Sequence, residues 1–293
     1  MIYEREPRSV AGVLDAGVRL YRAGFRRAVV TAARGYGVVL AAEVIAELFL
    51  GVSSMSAQAP GATGMEAAVD PVVLFFLLPL TALVGLLTTA AVIHHLHCIA
   101  SEEAGAVHGV WRTALRRAPA YLGAALLYGL PVAFAGVVAA VLVGTLATGA
   151  VVLAGIVLLV VLVPVVWASV ALAPMFYLVF TERLGPIAAL RRSVVLVRGN
   201  WWRTATVTLV AFLVLTVIQA GIVTLPAFLV GVMAGVSGES VGSVWVIALN
   251  LANALAQTLS VPLLAAMGLA IVRDLEIRAS GEDLEARLEA AGS

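Results

Sequence analysis

Long apolar runs alternate with short polar segments along this chain of 293 residues. A transmembrane helix needs roughly 20 predominantly apolar residues, because the hydrocarbon core of a bilayer is about 30 Å thick. Six runs reach that length, at about 28–52, 71–100, 120–144, 149–180, 205–236 and 243–272. The pattern therefore predicts an all-α integral membrane protein with six transmembrane helices in a single membrane domain over 1–293.

Several of these runs contain proline, which removes a backbone donor and bends or breaks a helix. Prolines inside runs include Pro79, Pro164, Pro174, Pro226 and Pro262. In a membrane the freed carbonyls are satisfied by neighbouring helices or by local changes of helix type. We expect kinks at these positions.

Composition supports the membrane assignment and narrows the function. The chain is 62% hydrophobic and 12% charged, whereas soluble domains carry about 25% charged residues. The single cysteine excludes an internal disulfide bond and a metal site made of cysteine alone. The sequence contains no lysine, no GXSXG or HEXXH motif and no phosphate-binding loop. We therefore expect no enzymatic activity, no cofactor and no nucleic-acid partner.

The arginines predict how the chain is oriented in the membrane. Six precede the first run, and the others outside the spans lie between spans two and three, between spans four and five, and after span six. The alternate connections, 53–70, 144–148 and 237–242, contain none. The positive-inside rule then places both termini in the cytoplasm. Arg34 lies near the cytoplasmic end of the first span, where its side chain can reach the interface.

The arginine-bearing segments share a pattern typical of helices that lie in a membrane interface. We predict three such amphipathic helices, at about 9–26, 106–118 and 186–198, and a short cytoplasmic tail at 273–293. Ser9 and Pro186 suit helix starts, and Gly199 suits a helix end. The sequence ALRR occurs at both 114–117 and 189–192. The chain can be read as a threefold helix–span–span repeat, or as convergence on one kind of surface helix.

The segment 181–203 concentrates the candidate binding chemistry. It holds five arginines and two adjacent tryptophans between two spans. Arginine binds phosphate with a planar fork, and tryptophan prefers the headgroup layer. The predicted lipid- or partner-binding residues are Arg191, Arg192, Arg198, Trp201 and Trp202, joined by Arg116 and Arg117. The simpler alternative is that these arginines only determine topology.

Polar residues inside the spans form a second candidate set. Glu43 and Glu47 are four residues apart in the first span, and Asn250, Asn253 and Gln257 share a face of the sixth, with Gln219 in the fifth. Ionisable groups at membrane depth are costly and are candidates for cation binding or proton relay. The alternatives are that the glutamates are merely tolerated near an interface, and that the amides join helices by hydrogen bonds.

Three of the four histidines and the only cysteine fall within residues 91–100. On a helix His94, His97 and Cys98 share one face while His95 points elsewhere, and His108 follows nearby. This spacing suits zinc or copper. It also suits the end of a span at the membrane interface, where the amphipathic imidazole ring is well accommodated. Because no carboxylate or second cysteine lies at ligand spacing, we predict no metal site.

The residues Glu182 to Trp202, which follow the pattern EXXGPXXALRRSXXLVRGNWW, resemble a signature of the bacterial glycerophosphoryl diester phosphodiesterase membrane domain family. The segments SVAGVLDAGVRLYRAGFRR at 9–27 and RDLEIRASGEDLE at 273–285 are similar to that family's leader helix and to its motif after the last span. The resemblance implies a membrane region without the soluble phosphodiesterase domain. It implies no catalytic residue.

These observations predict a non-enzymatic multi-pass subunit, scaffold or accessory protein of the bacterial cytoplasmic (inner) membrane. Its arginine-rich cytoplasmic face would bind anionic lipid or a protein partner. That partner is another protein or a second copy of this chain. The alternative is a transporter or lipid-translocating protein with a polar path between spans. An intramembrane hydrolase ranks third, because the carboxylates and histidines are expected near opposite membrane faces.

Overall fold

The computed structural model describes residues 9–50, 73–101, 109–146, 151–237 and 242–280. These residues form α-helices and no strand, which confirms the all-α prediction for this part of the chain. In chain order the helices are α1 Val10–Leu50, α2 Leu78–Ala100, α3 Val110–Leu146, α4 Val151–Leu172, α5 Met175–Thr181, α6 Pro186–Val197, α7 Trp201–Gln219, α8 Leu225–Ser237 and α9 Ser243–Ser280. The segments 53–70, 102–108 with His108, and 281–293 lie outside the described residues.

Six helical stretches are long and apolar enough to cross a membrane, as the sequence predicted. They are Val10–Phe49, Phe75–Ala100, Val110–Ala139, Leu159–Thr181, Trp201–Met233 and Ser243–Ser280. Many large apolar side chains on them are exposed, among them Phe49 (80%), Phe76 (72%) and Val217 (72%). Exposed apolar area of this extent is typical of a surface that faces lipid. By length and apolar composition, the described residues therefore contain the helices of a multi-pass membrane protein.

The predicted boundaries between interfacial helices and spans are wrong in two places. Helix α1 runs without a break through the expected interfacial helix 9–26 and the first span, and α3 does the same across Pro119. Extending a formed helix by a residue is easier than ending it and starting a new one. The 41 residues of α1 rise about 60 Å, twice the thickness of a hydrocarbon core.

The third expected interfacial segment is a separate helix, as predicted. Helix α6 begins at Pro186 and ends at Val197. Gly199 follows with a φ of +88°, the left-handed conformation that glycine adopts without strain. At the start of α1, the backbone N–H of Gly12 donates to Ser9 Oγ over 3.1 Å, which confirms the predicted N-cap. Helix α9 continues past the expected span end at 272 to Ser280.

Proline positions explain most of the irregular helix geometry. Pro174 separates α4 from α5. Two π-helical segments, 73–77 and 220–224, end two residues before Pro79 and Pro226. A proline ring clashes with the carbonyl four residues earlier, which falls inside the π-helical segment in both cases, so a wider turn accommodates it. Pro164 and Pro262 lie inside α4 and α9, which run through them.

Contacts within the chain define two compact units. The first unit comprises 1–17, 115–209 and 268–293, and the second comprises 18–114 and 210–267. The division falls within α1, α3, α7 and α9. The single membrane domain expected from the sequence stays a prediction, and each unit is described by itself.

The core of the first unit joins residues that are distant in sequence. Val13, Ala16, Val207 and Ala270 form one buried cluster. A Cβ on Gly268 would overlap the ring of Tyr177, so glycine is needed for this approach of α5 to α9. Small residues let helix backbones come close, which favours association where both helices are apolar.

The second unit uses the same device between α1 and α2. A Cβ on Gly35 would overlap the side chain of Thr88, and one on Gly24 would lie 2.6 Å from Leu96 Cδ2. Thr88 is fully buried, and its hydroxyl donates to the carbonyl of Val84 over 2.7 Å. The α1–α2 contact therefore depends on glycines that the hydrophobic pattern alone does not single out.

Candidate functional site

The first candidate site is the arginine–tryptophan segment, residues 182–203, in the first unit. Helix α6 packs against α4 and α5. Its residue Ser193 is fully buried and donates from Oγ to the carbonyl of Ala171 over 2.6 Å. On α3, the Cβ that Gly123 lacks would lie 3.0 Å from Pro186 Cγ, so α3 approaches the start of α6 closely. One side of α6 is thus packed against other helices of the first unit.

Two arginines of this segment are engaged by carboxylates. Arg192 Nε lies 3.1 Å from Glu182 Oε1. Arg203 Nε lies 3.0 Å from Asp274 Oδ2, and Arg278 on α9 donates to the same oxygen over 3.1 Å. Asp274 is 5% exposed. Arg203 and Arg278 thus pair with a buried carboxylate, which is tolerated only when it is paired and hydrogen-bonded, whereas the Arg192–Glu182 pair is partly exposed.

Other residues of the segment lie at the surface. Arg191 and Arg198 are exposed, and Trp202 is 80% exposed. Trp201 is half-buried and donates from Nε1 to the carbonyl of Trp167 over 3.1 Å, while its ring meets that of Trp202 edge-on at 4.8 Å. The tryptophan pair therefore has one anchored and one exposed member.

The two predicted arginines of α3 divide in the same way. Arg116 is exposed. Arg117 donates from Nη1 to the carbonyl of Arg183 over 2.7 Å. Arg183 itself has a φ of +55°. Among the seven residues predicted to bind lipid or a partner, Arg116, Arg191, Arg198 and Trp202 are surface groups, whereas Arg117, Arg192 and Trp201 also make structural contacts.

The second candidate site is a basic cavity of about 870 Å³ within the second unit. Helix α1 contributes three arginines to it, Arg26, Arg27 and Arg34, and the start of α3 contributes the opposite wall. The described residues that line it are Ala23, Arg26, Arg27, Val30, Thr31, Arg34, His95, Gly109, Val110 and Trp111. None of them carries a carboxylate. The cavity is therefore an anion-attracting region.

A short hydrogen-bonded chain orders the inner wall of this cavity. The hydroxyl of Thr31 lies 3.0 Å from the carbonyl of Arg27 and 2.9 Å from Nδ1 of His95. Since the hydroxyl has one proton and a carbonyl only accepts, Thr31 donates to Arg27 and accepts from the Nδ1–H of His95. The other ring nitrogen, Nε2, is buried and has no hydrogen-bond partner among the described residues.

The sequence interpretation used the arginines of this cavity only to orient the chain. Their spacing was a usable signal, since Arg27, Thr31 and Arg34 are separated by four and then three residues and so share a helix face. The contribution of His95 and of Trp111 depends on α2 and α3 lying beside α1. No local pattern in the sequence indicates that arrangement.

The predicted intramembrane polar residues lie in part around a smaller cavity of about 270 Å³ in the second unit. Glu43 and Asn250, exposed by 6% and 4%, both line it. The full lining is Tyr36, Val39, Leu40, Glu43, Leu78, Thr81, Ala82, Asn250, Asn253, Ala254 and Gln257. The amide stripe of α9 thus faces α1 and α2 across this polar space.

Two predicted members lie outside that cavity. Glu47 is 6% exposed, and its Oε2 has no hydrogen-bond partner among the described residues. Gln219, the last residue of α7, is half-buried. Neither lines the polar cavity. Of the six predicted intramembrane polar residues, four therefore line the smaller cavity, and Glu47 and Gln219 do not.

The histidine–cysteine cluster does not converge as a metal site within the described part of the chain. Cys98 is buried, and its Sγ lies 3.7 Å from His94 Nε2. No three histidine, cysteine, aspartate or glutamate side chains among the described residues are arranged to hold a metal ion. His97 adds no third ligand to this pair.

Comparison with known proteins identifies no relative. No family model matches the chain, and no curated protein or solved structure matches it significantly. The resemblance of residues 182–202 to the glycerophosphoryl diester phosphodiesterase membrane domain family stays a prediction. The site geometry therefore carries the functional argument.

Proposed function

We propose that this protein is a non-enzymatic multi-pass membrane subunit that binds anionic lipid at its arginine-rich face. In this proposal the face lies at the cytoplasmic side of a bacterial cytoplasmic membrane, in agreement with the distribution of arginines along the chain. Membership of the glycerophosphoryl diester phosphodiesterase membrane domain family is part of the same proposal. It rests on the motif at 182–202.

One observation carries the proposal: arginine and large apolar side chains are exposed side by side on the arginine–tryptophan segment. On α6, Ile187 and Val195 are 61% and 62% exposed, and Arg191 lies between them. Arg198 and Trp202 continue the exposed set. The first three share a helix face because they are four residues apart.

This combination favours a membrane surface over an acidic soluble partner. A purely electrostatic protein interface would not need the exposed isoleucine, valine and tryptophan beside the arginines. At a membrane interface the apolar side chains reach the acyl boundary while guanidinium groups meet phosphates. Each basic residue near an anionic leaflet contributes about 1 kcal/mol. Trp202 suits the headgroup layer.

The test is lipid retention by the purified protein. Native mass spectrometry of the protein in mild detergent would count bound anionic lipids for wild type and for Arg191→Gln/Arg198→Gln. We expect the double variant to lose most of the retained anionic lipid, and Arg191→Lys/Arg198→Lys to keep most of it because charge is preserved. Arg192→Gln is the matched control on the same helix, since Arg192 is engaged by Glu182.

Two outcomes would contradict the proposal. Equal retention by wild type and the glutamine double variant would show that the exposed arginines do not hold lipid. If a stoichiometric protein partner or a second copy stays bound to wild type but dissociates from the glutamine double variant, the face is a protein interface.

A second candidate function, transport of a polar or lipidic substrate, is favoured by the polar cavity around Glu43 and Asn250. Buried polar groups at membrane depth are functional candidates by default. Under this function Glu43→Gln or Asn253→Leu would abolish flux in proteoliposomes while the variant protein still inserts and folds. Retained flux with both variants would remove this candidate.

A further inference from the structure

We infer that the basic cavity of the second unit binds a phosphate monoester, from a lipid headgroup or from a soluble phosphate ester. The inference extends the proposed function, and its lipid arm rests on it. The cavity lies in a different unit from the arginine–tryptophan segment. The two sites are therefore separable by mutation.

The first argument is the arrangement of positive charge. Arg27 and Arg34 are seven residues apart on one face of α1 and so lie about 10 Å apart along its axis. Arg26 lines the same space. Guanidinium groups on long side chains converge on one phosphate from such distances, and arginine forms paired hydrogen bonds with phosphate oxygens. No described residue of the lining carries a carboxylate, so within the described part of the chain this charge is left to the ligand.

The second argument is the buried imidazole of His95. Its Nδ1–H is committed to Thr31, so Nε2 is the ring nitrogen left without a partner among the described residues. His95 is 5% exposed and lines the cavity, and Nε2 has no hydrogen-bond partner among the described residues. Leaving a buried polar atom unsatisfied costs about 1–3 kcal/mol, and a ligand hydrogen bond removes that cost.

The third argument is the opposite wall, the first turn of α3. Gly109 has a φ of +95° and its carbonyl accepts from the N–H of Thr113 over 3.0 Å. The N–H groups of the first turn of a helix have no partner inside the helix. They favour an anion such as phosphate. Trp111 in this turn also lines the cavity and carries an indole N–H donor.

The chemistry of these groups distinguishes phosphate monoesters from diesters. A monoester carries a charge of about −1.5 to −2 near neutral pH and three terminal oxygens. In its monoanionic form it has an O–H that donates to Nε2 of His95, which is the acceptor nitrogen of the Nδ1–H tautomer. A diester has a single negative charge and no O–H. Three arginines and one imidazole therefore match the monoester in charge and in hydrogen bonding.

The cavity size agrees with a ligand larger than inorganic phosphate. A volume of about 870 Å³ falls in the range of about 300–1,000 Å³ typical of sites for small molecules. Such a space accepts a phosphate together with the group esterified to it. Both a lipid with a phosphomonoester headgroup and a soluble sugar or glycerol phosphate satisfy this requirement.

The experiment measures binding to the full chain in nanodiscs of neutral lipid. Phosphatidic acid is the lipid monoester, phosphatidylglycerol the lipid diester, and glycerol 3-phosphate the soluble monoester. We expect wild type to prefer a monoester over phosphatidylglycerol by roughly tenfold or more, the effect expected of added hydrogen bonds to a charged group. Binding of phosphatidic acid alone assigns the lipid source, and binding of glycerol 3-phosphate assigns a soluble one.

Single substitutions on α1 provide a matched comparison. Arg34→Gln should weaken monoester binding by roughly tenfold. Arg22→Gln should change it little, because Arg22 is exposed on the same helix but does not line the cavity. His95→Gln should reduce the preference for monoester over diester. Because Arg34 is exposed, we expect Arg34→Gln to fold. It therefore tests monoester binding even where the variant of the buried His95 fails to fold.

The arginine–tryptophan variant separates this inference from the proposed function. Arg191→Gln/Arg198→Gln should retain the monoester site while losing general anionic-lipid retention. Equal affinity for monoester and diester, no monoester binding, or equal effects of Arg34→Gln and Arg22→Gln would each overturn the inference. The same results would leave the proposed role of the arginine–tryptophan segment untouched.

Discussion

Arg203 and Asp274 are 71 residues apart in the sequence, yet Arg203 Nε lies 3.0 Å from Asp274 Oδ2. Arg278 donates to the same oxygen over 3.1 Å, so one carboxylate joins the start of α7 to the end of α9. Asp274 is buried, whereas the two arginine side chains are 21% and 28% exposed. Two arginines of the first unit therefore share this one buried carboxylate.

We predict that Asp274→Asn lowers the free energy of unfolding by about 2 kcal/mol, because it leaves two partly buried guanidinium groups without their carboxylate. The value is below that of a fully buried pair, since water reaches both arginines. Glu182→Gln is the control, and its partly exposed pair with Arg192 should contribute less than about 1 kcal/mol. Thermal unfolding in detergent measures both, and equal shifts would contradict the prediction.

Gly199→Ala should destabilise the protein by about 1 kcal/mol, because an alanine at a φ of +88° is strained. Open space surrounds Gly199, so the cost is conformational and not steric. Gly185→Ala tests this reasoning at the other end of α6, where φ is −76° and the surroundings are also open. A melting-temperature decrease at 199 with no decrease at 185 is expected. The reverse order would refute the argument.

Gly35→Ala should disrupt the α1–α2 contact, because its Cβ would overlap the side chain of Thr88. Overpacking of this kind costs about 1–3 kcal/mol. Adding Thr88→Ala should restore part of the loss by making room. Gly37→Ala, two residues away in open space, should be neutral or stabilising. Chemical unfolding of wild type, Gly35→Ala, Thr88→Ala and the double variant measures the coupling, and additive effects would exclude the proposed contact.

Ser193→Ala should cost about 1 kcal/mol of stability, because the buried carbonyl of Ala171 loses its hydroxyl donor. Thr206→Ala removes a similar hydroxyl whose hydrogen bond to the carbonyl of Trp202 is exposed, and it should change stability by less than about 0.5 kcal/mol. Thermal unfolding compares the two. Lipid retention should survive in both variants, since neither residue belongs to the exposed face of α6.

The sequence by itself determined the features that depend on neighbouring residues. Six apolar runs predict six helices because crossing a bilayer requires a fixed length of satisfied backbone. Ser9, Pro186 and Gly199 mark helix ends through their own side-chain and backbone chemistry, and the structure has helix ends at all three. These effects act over a few residues and need no knowledge of the fold.

Tertiary structure alone decided which polar residues are structural and which remain at a surface or cavity. Arg191 and Arg192 are adjacent and chemically identical, but only Arg192 is paired with Glu182. The sequence placed His95 on a different helix face from His94, His97 and Cys98 and assigned it no role, yet it lies with Thr31 in the basic cavity. Hydrogen bonds and ion pairs require atoms within a few ångströms, and helix packing brings such atoms together irrespective of their distance along the chain.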